Sequence, residues 1–188
     1  MTYQNLFPIH SIAKETGRSL QFLHWARQQL NIQPYQHLLE IGYGTGQLME
    51  EVARTLRIGF LAGIESSISS YQQAYRRNKR FVRQQLVQLH IGEPYELPYP
   101  RHYFHTIYGT NIHLSSNDIH SELLRLSGLL KNRGRLVLLL ESGRTRFNLH
   151  ETAALLQIAC RSAGFSRIST EAHSLNPDNC LAITGFKA

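Results

Sequence analysis

Apolar runs of strand length alternate with stretches of helical period along most of the chain. That order predicts a layered α/β domain whose strands are mainly parallel. After an irregular opening, Leu23, Ala26 and Leu30 recur at helical spacing until Pro34, so residues 1–33 form a lead-in ending in a helix. His37 to Ile41 reads as a short strand, Gly42 to Gly46 as a glycine-rich turn, and Leu48 to Leu56 as a helix with Leu48, Val52 and Leu56 on one face. A second strand is expected over Gly59 to Ile64, then a helix from Ser67 to Asn78 or on to Arg83, then a third strand over Leu86 to Ile91.

Pro94, Pro98 and Pro100 forbid regular structure between Gly92 and His102. Phe104 to Gly109 follows as a fourth strand. Asn117 or Asp118 caps a helix striped by Ile119, Leu123, Leu126 and Leu130, and Gly134 releases the chain into a fifth strand over Arg135 to Glu141. A last helix over Leu149 to Ala163 stops at Gly164. Two final strands, Phe165 to Ala172 and Cys180 to Phe186, are joined by a turn with Pro177 and no helix, so they pair antiparallel at the sheet edge. No repeat or linker divides residues 1–188, which read as one domain.

The chain has 188 residues, 42% hydrophobic and 18% charged, enough apolar surface for a core. Its longest aliphatic run, Leu136 to Leu140, is far shorter than the roughly 20 residues a membrane helix needs. No secretory leader pattern opens the sequence. Cys160 and Cys180 stand without metal-ligand spacing around them, so neither a disulfide framework nor a metal site is expected and a reducing cytoplasm fits best. The net charge is +7, and Arg76, Arg77, Lys79, Arg80 and Arg83 place five cations within eight positions. They lie at the end of a helix and before a strand, at the amino edge of the sheet, where solvated cations beside a helix carboxyl terminus are a better account than nucleic-acid contact.

The most informative segment is His37-Leu-Leu-Glu-Ile-Gly-Tyr-Gly-Thr-Gly-Gln-Leu-Met-Glu50. Glycines between a strand and a helix permit a tight turn and close approach of a ligand to the backbone. A dinucleotide fingerprint would place its third glycine at residue 47, which is Gln. Glu65, in Ala62-Gly-Ile-Glu-Ser66, lies 19 residues after Gly46, close to the roughly 20 expected of an acidic residue that meets a ribose.

The Glu-x-Gly-x-Gly-x-Gly pattern from Glu40 resembles motif I of the class I S-adenosylmethionine-dependent methyltransferases. Leu89-His-Ile-Gly-Glu-Pro-Tyr-Glu-Leu-Pro-Tyr99 is similar to the segment after their third strand. Tyr103-Phe-His-Thr-Ile-Tyr-Gly-Thr-Asn-Ile-His113 and Leu129-Leu-Lys-Asn-Arg-Gly-Arg-Leu-Val-Leu138 look like later segments of small-molecule enzymes related to quinone biosynthesis. The resemblance runs from about residue 18 to the end. It implies a Rossmann-like doubly wound, mainly parallel seven-stranded sheet with a C-terminal antiparallel hairpin.

It also implies S-adenosyl-L-methionine held by Glu40, Gly42, Tyr43, Gly44, Gly46, Glu65, Ser66, Glu93, Pro94, Thr110 and Asn111. A carboxylate at position 40 suits the ammonium of that cofactor and would repel a pyrophosphate. His113 and Tyr108, after and within strand four, are the candidate catalytic groups, and Arg144 and Arg146 the candidate anchors for an anionic small-molecule acceptor. A sulfonium methyl is already activated, so alignment of the acceptor can suffice without a base.

Phe22 and Trp25 could cover the pocket, although apolar residues at helical spacing more often belong to a core. Two departures from the family pattern stand out: His105 in place of Asp, and Asn132-Arg133 in place of a Pro-Gly turn. The first leaves a carboxylate's role vacant. Rival readings are a non-catalytic module that holds the nucleoside and, less favoured, an RNA methyltransferase. Oligomeric state is not legible.

Overall fold

The computed structural model describes residues 20–112, 119–142, 148–175 and 179–188. The expected Asn117 or Asp118 cap, the Pro177 turn and the first 19 residues lie outside them. The elements run α1 (Leu20–Leu30), β1 (His37–Ile41), α2 (Gln47–Ala53), β2 (Phe60–Glu65), α3 (Ile68–Arg83), β3 (Val87–Ile91), β4 (Phe104–Thr110), α4 (Ile119–Leu129), β5 (Leu130–Glu141), α5 (Leu149–Ser162), β6 (Phe165–Ser174) and β7 (Asn179–Lys187). One seven-stranded sheet has the order β3-β2-β1-β4-β5-β7-β6. The first five strands are parallel, and β7 pairs antiparallel with both β5 and β6. This is the α/β sheet with a closing hairpin that the alternation of periods predicts.

Each face of the sheet has its own core. Phe22, Leu30, Leu48, Val52, Ala74 and Phe81 bring α1, α2 and α3 against Leu38, Leu61, Val137 and Ala182. Leu123, Leu126, Leu156 and Ala159 bring α4 and α5 against Leu39, Ile107, Leu138 and Ile183. Strand β1, between β2 and β4, is buried along four of its five residues. That explains its unbroken apolar character.

Helix α3 continues to Arg83, as the longer sequence reading allows. Its Ser67 cap accepts from the Ser70 N–H at 3.2 Å. Helix α2 ends earlier than Leu56, at Ala53. Pro94–Glu96 forms a short 3₁₀ turn in the proline-rich segment expected to be irregular, because Glu96 Oε2 accepts from the Glu93 N–H at 2.7 Å.

The boundary between α4 and β5 differs most. Leu130 was expected on the helix stripe but already pairs with Phe104 in the sheet, and a register shift then carries the ladder to Thr106 and Arg135. Arg133 absorbs the irregularity at φ 62°. A Cβ on Gly134 would lie 2.8 Å from the Lys131 carbonyl and 3.2 Å from that of His105, so close backbone approach requires glycine there.

The same edge accounts for the vacant carboxylate. His105 Nδ1 accepts from the His37 N–H at 2.9 Å, and its Nε2 lies 3.1 Å from Lys131 Nζ. An imidazole therefore ties β1 to β4 at the amino edge, remote from the carboxyl edge where ligands of such sheets bind. Desolvation and the Lys131 charge push His105 below its ordinary value of 6.5. His37 is lowered by burial and Lys131, and His90 by burial.

Below about pH 6.5 the unfolded chain therefore binds more protons on these rings than the folded one. Their contribution to stability is complete above that pH and is lost as pH falls through the lowered folded values. Urea midpoints measured between pH 8 and pH 5 are expected to fall through this window. His105→Asp, whose carboxylate can accept from His37 and pair with Lys131, is expected to flatten the fall and raise stability by about 1 kcal/mol at pH 6. An unchanged slope in that variant would remove His105 from the account.

Candidate cofactor site

Three crossovers meet at the carboxyl edge beside β1. Register places Glu40 between Gly63 of β2 and Tyr108 of β4. Glu40 is fully buried, and its Oε2 accepts from the Tyr108 hydroxyl at 3.0 Å. The turn after β1 holds Gly42, Gly44 and Gly46 at φ 64°, 51° and 74°, a left-handed conformation that favours residues without a Cβ. The Gly42 N–H donates to the Ile64 carbonyl at 2.8 Å. The Gly44 N–H donates to Glu65 Oε2 at 3.0 Å, while Glu65 Oε1 accepts from the Ser67 N–H at 3.1 Å and faces Ser66 Oγ at 3.5 Å. Glu65 thus fixes the glycine turn and the start of α3 together. At the next crossover the Gly92 N–H donates to the Glu65 carbonyl at 3.1 Å, bringing Glu93 and Pro94 beside it.

Several residues expected to meet ligand have other work. Tyr43 is 1% exposed, its ring lies where a Cβ on Gly63 would stand, and its hydroxyl donates to the His90 carbonyl at 2.9 Å. Burial and the neighbouring Glu65 push its phenol well above the usual range. Its side chain pins the turn to β3, so only its backbone is left to border a ligand. A Cβ on Gly46 would lie 2.6 Å from Asn78 Nδ2 and 2.9 Å from the Ala74 Cβ. The third glycine is therefore needed for α2 to pack on α3, and Asn78 Nδ2 also donates to the Gly46 carbonyl at 3.0 Å.

Tyr108, a candidate catalytic group in the sequence, is fully buried with its hydroxyl donating to Glu40. Thr110 is fully buried. Asn111, at φ 51°, accepts at Oδ1 from the Glu141 N–H at 2.8 Å while its own N–H donates to the Leu139 carbonyl at 2.8 Å. Its side chain ties β4 to β5 rather than facing outward. His113, Arg144 and Arg146 lie outside the described residues.

The basic cluster divides. Arg76, Lys79, Arg80 and Arg83 are exposed on α3. Arg77 instead reaches the glycine turn, donating from Nε to the Thr45 carbonyl at 3.2 Å and lying 3.4 Å from Glu50 Oε2. Its placement with solvated cations at the amino edge is corrected accordingly.

Two residues the pattern did not single out lie near Glu65. Ile91, opposite Glu65 in the β2–β3 register, is 47% exposed, and Ile68, three residues after Glu65, is 63% exposed. Both are apolar side chains left exposed at the ends of elements adjoining Glu65. Their signal in the sequence is an isoleucine at an element boundary where polar residues are the rule. Further along the same edge, a cavity of about 540 Å³ is lined by Ser142, Asn148, His150, His173, Asn179 and Cys180, among others.

No family profile matches the chain, and no curated protein matches it in sequence. Solved structures do share the fold. The [4+2]-cyclase SpnF is similar at TM-score 0.72 with 17% identity, over 95% of this chain and 87% of that one. A SAM-dependent methyltransferase from Aquifex aeolicus is similar at TM-score 0.68 with 13% identity, over 88% and 89%. A precorrin-6y C5,15-methyltransferase from Geobacter metallireducens GS-15 is similar at TM-score 0.68 with 15% identity, over 95% and 94%. The chain therefore has the Rossmann-like fold found in class I methyltransferases.

Removing the Tyr108 hydroxyl leaves a fully buried carboxylate short of a donor. Tyr108→Phe is expected to cost about 1–3 kcal/mol in urea denaturation. A fully stable variant would refute the structural role and return Tyr108 to the list of catalytic candidates.

Proposed function

We propose that the chain binds S-adenosyl-L-methionine at the carboxyl edge beside β1 and transfers its methyl group to a nucleophile on a small organic acceptor. The observation that carries this reading is the turn itself: left-handed backbone at Gly42 and Gly44, tied to Glu65 by the Gly44 N–H. The chemistry of the donor set fits the adenosyl sulfonium. Glu40 and Glu65 are buried carboxylates at successive crossovers, suited to an ammonium and a ribose diol and hostile to a pyrophosphate. Ile68 and Ile91 supply apolar surface beside Glu65 for a planar base. The fold shared with SAM-dependent methyltransferases supports the same assignment.

When bound, the cofactor supplies a methyl carbon already activated by its sulfonium leaving group. The chain's residues then have three tasks. Glu40, oriented by Tyr108, holds positive charge at one end. Glu65, oriented by Gly44 and Ser67, fixes the ribose. The glycine turn lets the ligand lie on the backbone, so that alignment and exclusion of water lower the barrier without an obligatory base.

A second reading, ligand holding without methyl transfer, is favoured by one observation: the SpnF cyclase carries this fold with another activity in its name.

Calorimetry with S-adenosylmethionine and S-adenosylhomocysteine separates these readings from a chain that holds neither. Micromolar binding is expected, about −8 kcal/mol. Gly44→Asp, which puts a side chain and a negative charge on the turn, is expected to abolish it. Undiminished binding by the variant would move the site elsewhere. Binding with no turnover across a panel of oxygen, nitrogen, sulfur and carbon nucleophiles would favour the holding module.

A further inference from the structure

Trp25 is the chain's single tryptophan. It sits on α1, 3% exposed, packed on Phe22 with ring centroids 5.7 Å apart, and nearly parallel to His173 of β6 at 6.2 Å and 9°. Its indole N–H is buried and meets no acceptor among the described residues. Buried tryptophans ordinarily pair that donor, and one left unpaired costs stability that packing alone does not repay. The indole also forms part of the wall of a cleft of about 350 Å³ between the first half of α1 and the end of β6.

The other lining side chains are Gln21, His24, Gln28, His173, Ser174 and Leu175. Among the described residues that line it there is no carboxylate, lysine or arginine. A charged ligand entering here would lose its water without gaining a counter-ion. The stacked indole–imidazole pair makes an aromatic wall that favours contact with a flat ring over a saturated one, and the carboxamides and hydroxyl provide neutral hydrogen bonding.

We propose that this cleft binds the flat, uncharged ring of a small aromatic or heteroaromatic compound whose carbonyl or phenol oxygen accepts the Trp25 indole N–H. The N–H is itself buried, so this pairing requires the indole or a side chain beside it to move outward. The first half of α1 and the end of β6 both lie at the carboxyl edge, the edge that carries the glycine turn, but several strands away from it. The ring is then the anchored, non-reacting end of a larger molecule, whose remote binding energy holds the reacting end in place. The inference rests on the methyl-transfer reading only in making that molecule an acceptor; the cleft and its ring preference stand without it.

Calorimetry with 4-quinolone tests the proposal on the whole chain, and Trp25 fluorescence locates the binding. Saturable binding with quenching is expected for 4-quinolone, and none for cyclohexanone, which has the carbonyl without the flat ring. Trp25→Phe keeps the ring and removes the N–H, and is expected to weaken binding about tenfold by calorimetry. His173→Ala is expected to weaken it similarly and, lying on an exposed site, to leave folding intact by circular dichroism. Gly44→Asp, expected to lose S-adenosylmethionine, is expected to bind 4-quinolone as the wild type does. Absence of binding at millimolar 4-quinolone, or equal affinity in Trp25→Phe and His173→Ala, would overturn the proposal. S-adenosylmethionine binding measured alongside reports separately on the cofactor reading.

Discussion

The Glu65 carboxylate, 4% exposed, accepts from the Gly44 N–H with one oxygen and from the Ser67 N–H with the other. Through these two contacts the end of β2 sets the conformation of the turn after β1 and the first residues of α3. Burying a charge is costly unless hydrogen bonds replace its water, and the backbone donors at two chain reversals meet that requirement. The turn and the carboxylate therefore define one another. Gly44 is left-handed where its N–H must point at Glu65, and Glu65 is held where a ligand lying on the turn would meet it.

Packing then fixes what surrounds the turn. Asn78, fully buried on α3, donates to the Gly46 carbonyl and to the Ala74 carbonyl, and the absence of a Cβ on Gly46 lets the two helices approach. Tyr43 crosses over Gly63 to β3, and Arg77 returns from α3 to Thr45. A glycine turn that alone would pay a large entropic penalty is held from β2, β3 and α3 at once. Such preorganisation is what a cofactor cradle requires, since ordering the turn at the moment of binding would cost affinity.

At the opposite edge His105 ties two strands through its imidazole. One ring nitrogen accepts the His37 N–H, and Lys131 lies close to the other. The imidazole makes the β1–β4 tie sensitive to protons, because a protonated ring can no longer accept. It bears on the strand edge and not on the cofactor turn.

The strand–turn–helix order, the antiparallel ending and the carboxylates at positions 40 and 65 were legible in the sequence because each is local: a period, a glycine spacing, a residue at a strand end. The directions of side chains were not. Tyr43, Tyr108 and Asn111 sit within or beside the motifs, yet their polar groups turn to His90, Glu40 and Glu141, partners 47, 68 and 30 residues away. Ile68 and Ile91 gain their meaning only when parallel pairing sets Ile91 across from Glu65. Leu130 left the helix stripe for the sheet because pairing with Phe104 overrode its local period. Sequence period determines which segments become strands and helices. Which face a polar group serves was decided by register between distant strands, since a buried donor or acceptor must find its partner wherever the folded chain supplies one.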